Sequence, residues 1–217
     1  MSSFGAQTTL DDQGKAVAKS LEGATKDTEI DVPPFSFYWK QRKYAVNLML
    51  MSLVWLTTSF GYYLILSLVN TFDKVYITAF TSSASEITAY IVSGLFYERV
   101  GVKFSLILSF AISTVGGILI LTWGLEHQSS TLFFIFFLLA KFGITCTLNI
   151  EFMANQFFFP TLFAATALGI CGFLSAIFSA LSYIVGELQE PIPMWIFTVM
   201  CVLSTVAAKF LKTEKND

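Results

Sequence analysis

Residues 83–105 read SASEITAYIVSGLFYERVGVKFS. An apolar span carries a single acid, Glu86, in its interior. The span closes in a short charged segment, Gly94 to Lys103, and a second apolar span starts at once. A connector this short between two membrane-length segments cannot be a domain linker. It reads as a tight reversal on a membrane surface.

The rest of the chain agrees with that reading. Of its residues 55% are hydrophobic and only 13% charged, about half the charge of an ordinary soluble domain. The apolar residues also cluster into long runs. A bilayer core about 30 Å thick takes roughly 20 apolar residues per helix. Six stretches meet that need: Tyr44–Asn70, Val75–Tyr97, Phe104–Trp123, Thr131–Phe152, Leu162–Gly186 and Pro193–Leu211. The connectors are short, which predicts antiparallel neighbours in one all-α, six-helix polytopic membrane bundle over 44–211. Residues 1–43 are rich in Ser, Thr, Gly and mixed charge, lack an apolar signal region, and read as a disordered cytoplasmic tail. Residues 212–217 form a second, short cytoplasmic tail.

Lys and Arg set the expected orientation. Lys40, Arg42 and Lys43 precede the first span, Arg99 and Lys103 lie in the second-to-third turn, and Lys209, Lys212 and Lys215 close the last. All three clusters then share the cytoplasmic face, with both termini inside. The opposite connectors carry Asp73, Lys74, Glu126, His127, Glu187 and Glu190. Trp39, Trp123 and Trp195 fall near span ends, as interfacial anchors do, whereas Trp55 should pack deeper. The fifth span repeats small residues at Ala165, Gly169, Gly172, Ala176 and Ala180, a face suited to helix packing.

The net charge of −2, with no basic run, argues against nucleic acid as a partner. Cys146, Cys171 and Cys201 lie within apolar spans without metal-ligand spacing and read as small buried hydrophobes. His127 has no nucleophile or metal partner in register, and no glycine loop cradles a phosphate. The sequence therefore predicts no enzyme, no metal and no cofactor.

The charged turn has the spacing G-x-x-x-[DE]-R-x-G-x-[RK] through Gly94, Glu98, Arg99, Gly101 and Lys103. It resembles the loop signature of the major facilitator superfamily, and Glu86 to Tyr90 (EITAY) resembles the E-I-P-A-Y of its organic cation/anion branch. Four more segments resemble that branch in order and spacing: Trp55 to Tyr63 (WLTTSFGYY), Ala140 to Gly143 (AKFG), Phe159 to Thr161 (FPT) and Phe210 to Lys215 (FLKTEK). The resemblance implies the C-terminal six helices of a twelve-helix transporter. It implies a lipid bilayer and a small organic ion as partners, together with a second six-helix half or another copy of the chain. The plasma membrane is then expected over an organelle membrane. Departures stand beside it. The family's Glu before F-P-T falls at Phe157, two family arginines fall at Ala164 and about Ala176, and the Pro of the closing signature is Lys212.

Glu86 and Lys141 each lie about ten residues into their spans, hence near the midplane at roughly 1.5 Å per residue. An ionisable group there is expensive unless paired or wet, which makes both candidates for substrate or coupling-ion contact. A free Glu86 suits a cation or a proton, and a free Lys141 suits an anion. The alternative is a purely structural Glu86–Lys141 ion pair, or a Lys141 that snorkels. Tyr62, Tyr63, Tyr90 and Phe142 are candidate cavity aromatics, able to hold an organic cation by cation–π contact. Gly94, Glu98, Arg99, Gly101 and Lys103 read as gate or topology residues, and Asn149, Glu151, Asn155 and Gln156 as a solvated cytoplasmic end of the fourth span. Two functions follow: alternating-access transport of organic ions as a half-transporter, or a non-transporting accessory subunit of a membrane complex.

Overall fold

The computed structural model describes residues 41–68, 75–124 and 131–212. The expected N-terminal tail up to residue 40, and the tail beyond Lys212, lie outside the described residues. Those described form helices α1 (Arg42–Leu68), α2 (Val75–Val100), α3 (Val102–Leu119), α4 (Thr131–Phe158), α5 (Thr161–Gly186) and α6 (Ile192–Phe210). A wider π-type turn, Ile120–Gly124, extends α3. There is no strand among the described residues. α1 starts inside the segment expected to be tail.

Two connectors are shorter than the sequence suggests. The charged turn is helical through Glu98, Arg99 and Val100, and the break is Gly101 alone. Gly101 adopts φ +80°, a conformation that costs glycine nothing and other residues much. Its N–H closes α2 on the Tyr97 carbonyl (3.1 Å), and its own carbonyl accepts the Ser105 N–H that opens α3 (3.0 Å). α4 runs six residues past the expected Phe152. Nothing after Phe152 breaks a helix until Pro160, which has no N–H and restrains the residue before it.

Consecutive helices are mostly not the closest neighbours, contrary to the simple antiparallel expectation. The main pairings are α3 with α4, α1 with α5, α3 with α6 and α2 with α4, while α1 also meets α4 and α6. α3 and α4 approach most closely. A Cβ on Gly143 would stand 2.5 Å from the Ser113 backbone nitrogen, and one on Gly116 would stand 2.5 Å from that of Ala140. Small residues on both helices permit this, as in other membrane helix pairs. The Ser113 hydroxyl then bridges to the Ala140 carbonyl (3.0 Å). Between α6 and α1, Ser204 donates to the Thr57 hydroxyl (2.6 Å).

α5 corrects another expectation. It packs on α1, with Cys171 against Ser52, and its buried positions include Ala164, Ala167, Cys171, Ser175 and Ser182. Ala165, Gly169, Ala176 and Ala180 instead face outward, and a Cβ on Gly169 or Gly172 would meet nothing within 4 Å. The small-residue stripe is thus not the helix's packing face within the described residues.

The closing segment explains one family departure. Asn47, fully buried on α1, donates to the Lys212 carbonyl (2.8 Å) and accepts the Lys212 N–H (3.0 Å). Lys103 donates to the neighbouring Leu211 carbonyl (2.8 Å). A proline at position 212 has no N–H to give, so Lys212 supplies a bond its family counterpart cannot.

Five helices are long and apolar enough to cross a bilayer: α1, α3 with its π turn, α4, α5 and α6. α2 is long enough but more polar, with Thr78, Thr81, Ser82, Ser83, Ser85, Glu86 and Thr88 in its first half. Its exposed side nevertheless presents Tyr76, Phe80, Ile87, Tyr90, Ile91 and Leu95, while Thr78, Ser82 and Ser93 are buried. That outward apolar face suits lipid better than water.

Candidate functional site

The residues singled out near the midplane meet each other. Glu86 lies 11 residues into α2 and Lys141 10 residues into α4, depths of roughly 15 Å at the helical rise. Lys141 Nζ lies 2.8 Å from Glu86 Oε1. The Tyr62 hydroxyl of α1 donates to the same oxygen (3.0 Å). Lys141 also donates to the Ser82 hydroxyl, one turn before Glu86 on α2. Its ammonium stands 5.9 Å from the Tyr62 ring centroid, near the limit for cation–π attraction. Three helices therefore converge on one ion pair.

The pair is lopsided. Lys141 keeps only 3% of its side-chain surface exposed, whereas Glu86 keeps 21%. Lys141 is enclosed by acceptors and an aromatic ring, as an ammonium removed from water requires. Glu86 commits one oxygen to internal partners and reaches the open side of α2. The pairing of Glu86 with Lys141, one of the alternatives left open by the sequence, is present in the bundle.

Aromatics border that open side. Tyr63 packs edge-on against Tyr62 with centroids 5.5 Å apart, and lies 6.0 Å from Tyr183 of α5. Tyr90 follows Glu86 by one turn and is exposed. Phe142 is half-buried beside Lys141 on α4. Sequence reasoning missed Ser82 and Tyr183. Ser82 was findable, because positions four apart on a helix share a face. Tyr183 was not, since only the packing of α5 on α1 brings it near Tyr63.

The gate residues stand apart from this cluster. Glu98 and Arg99 are exposed on the last turn of α2. Gly94 has open space where a Cβ would point, Gly101 makes the break, and Lys103 holds the end of α6. The expected solvated end of α4 needs correction. Glu151 and Asn155 are buried, because α4 continues beyond them through Phe157 and Phe158 and packs there against α1 and α5. Asn155 donates to the Ala164 carbonyl (2.7 Å), and the half-buried Asn149 donates to Ser93 of α2 (2.6 Å). Of that group only Gln156 is exposed.

No family model matches the chain. Curated relatives do. It is 27% identical over 172 residues to solute carrier family 22 member 21 of Mus musculus, covering 75% of this chain and 29% of that protein. Solute carrier family 22 member 6-A of Xenopus laevis is 27% identical over 171 residues, covering 76% and 30%. Organic cation/carnitine transporter 2 of Rattus norvegicus is 24% identical over 178 residues, covering 79% and 31%. The chain thus spans about three-tenths of the length of these relatives. They bear out the resemblance to the organic cation/anion branch of the major facilitator superfamily. Their names describe transporters and carriers, and the chain stands with them outside the enzymes. With its long apolar helices it is a multi-pass membrane protein.

Proposed function

We propose that this relative of the solute carrier family 22 transporters is one six-helix half of an organic-ion transporter and works by alternating access against a second half. The carrying observation is the Glu86–Lys141–Tyr62 cluster, held between three helices at mid-helix depth with Glu86 open on the α2 side. Facilitators hold substrate at the interface of two bundles. The apolar outer face of α2 and the small-residue face of α5 suit contact with another bundle. Glu86 would meet the charged group of the substrate, and Tyr62, Tyr63 and Tyr90 its organic body. A second six-helix chain or a second copy would supply the other wall.

The test is equilibrium binding of labelled organic cations and anions to the chain in lipid nanodiscs. Tyr63→Ala, which leaves the ion pair in place, is expected to weaken cation binding several-fold. Equal affinity in wild type and variant would remove the aromatic wall from the site.

We also infer that both termini are cytoplasmic, in the plasma membrane, from the distribution of Lys and Arg. Glu187, just past α5, and Glu98, on the last turn of α2, are both exposed. In intact cells an impermeant thiol reagent is expected to label Glu187→Cys and to miss Glu98→Cys. The reverse pattern inverts the bundle.

A second reading has its own support. Phe157, Ala164 and Ala176 stand where the family carries an acid and two arginines, so the acid–base ties of a gated transporter are thinned. Lys141 is also closed off by its partners. Both features suit a non-transporting accessory subunit.

A further inference from the structure

The ion pair at the midplane leaves one acid of the bundle unexplained. Glu151 of α4 has no solvent exposure, and neither of its carboxyl oxygens has a hydrogen-bond partner. It lies seven residues before the end of α4, roughly 10 Å along the helix. Among the described residues its surroundings are polar and no ion pair to it is present. From α1 comes Thr58, whose hydroxyl lies beside the carboxyl group. The Thr58 hydroxyl hydrogen bonds to the Val54 carbonyl (2.9 Å). Trp55 packs its ring edge-on against Phe152, centroids 4.8 Å apart. From α5 comes the Cys171 thiol, a titratable group facing Glu151 and itself 3.5 Å from the Ser52 hydroxyl. Lys141, the buried cation of the same helix, is committed to Glu86 ten residues away.

An inventory of donors and acceptors shows what the layer lacks. Asn155 stands one turn beyond Glu151. It donates one of its two amide hydrogens to the Ala164 carbonyl (2.7 Å), and its own Oδ1 is buried without a partner. The Trp55 indole N–H is likewise buried and unpaired. Three buried acceptor oxygens, both of Glu151 and Asn155 Oδ1, are thus left without a donor. An ionised carboxylate only accepts, whereas a protonated carboxyl group also donates. A proton on Glu151 turns one of these acceptors into a donor, and the unpartnered Asn155 Oδ1 stands one turn further along α4. The same proton removes a bare charge from a dry site, where an unpaired carboxylate is prohibitively costly.

We propose that Glu151 is a proton-binding site. The side chain stands as the neutral carboxylic acid while α1, α4 and α5 are closed around it. It releases its proton to water when that layer opens and regains one on closure. The family's Glu before F-P-T falls six residues later, at Phe157. The inference rests on the buried polar atoms and not on the transport reading.

Infrared spectroscopy of the full chain in lipid nanodiscs at neutral pH tests it. The carbonyl stretch of a protonated carboxylic acid is expected in wild type. It should disappear in Glu151→Gln and persist in Glu190→Gln. Glu151→Gln, which mimics the neutral acid in shape, should fold with the melting temperature of wild type. Absence of the protonated band in wild type would overturn the proposal. So would failure of Glu151→Gln to fold, since a neutral isostere should satisfy the layer. A melting temperature that falls when sodium and potassium are replaced by choline, in wild type but not in Glu151→Gln, would assign the site to a metal cation instead.

Discussion

Glu86→Gln is expected to lower the folded yield of the chain sharply, and Glu86→Gln combined with Lys141→Met is expected to restore most of it. Lys141 is the reason. Its side chain is 3% exposed, and its ionic partner is Glu86 at 2.8 Å. Removing one member of a buried pair leaves the other charge without compensation, at a cost of about 3–5 kcal/mol. Ser82 and the Tyr62 ring stay in place, but neither carries a charge to balance the ammonium. Replacing both members with uncharged side chains of similar length removes the stranded charge together with the pair, a change that is often neutral. Lys141→Met alone should cost less than Glu86→Gln, because the stranded Glu86 is 21% exposed and can reach water or the Tyr62 hydroxyl. Fluorescence-detected size-exclusion yields and melting temperatures of the three variants measure this. Single and double changes that simply add would show that the pair is not coupled.

Gly143→Leu is expected to prevent assembly of the bundle, with Gly143→Ala an intermediate case. A Cβ at Gly143 would lie 2.5 Å from both the nitrogen and the hydroxyl oxygen of Ser113, and 2.8 Å from the Ser109 carbonyl oxygen. Two of those three atoms are backbone, so they move only if α3 and α4 separate. Overpacking a tight contact costs about 1–3 kcal/mol for small insertions, and a leucine adds three more carbons. Gly169→Ala is the control. Nothing lies within 4 Å of a Cβ there, and alanine favours helix over glycine by about 1 kcal/mol. Thermal unfolding in lipid should separate the two alanine variants. Equal tolerance at both positions would mean that α3 and α4 do not approach this closely.

These two sites show what the sequence made legible. Apolar run length placed all six helices, because a bilayer-spanning segment must satisfy its own backbone and a helix does so internally. Depth along the helix brought Glu86 and Lys141 forward, since rise per residue is fixed. Their pairing was foreseen only as an alternative, because which helices lie together depends on three-dimensional packing. The same limit explains the small-residue stripes. The stripe singled out on α5 faces outward, while Ser109, Ser113 and Gly116 of α3 make the close contact with α4. Spacing alone weighs such stripes equally. Glu151 was misplaced for a local reason. The polar residues Asn149, Glu151, Asn155 and Gln156 suggested an interfacial end, yet the helix continues to Phe158 and folds two of them into the bundle.

Uptake of labelled organic ions by reconstituted vesicles tests the central claim most directly. The chain is compared alone and together with a candidate second six-helix half, as wild type and as the folded Glu86→Gln/Lys141→Met double variant. A half-transporter predicts uptake by wild type only when a second half is present, and its loss in the double variant at unchanged folded yield. No uptake by wild type under any pairing, with the double variant equally well folded, would contradict transport and leave the accessory-subunit reading in its place.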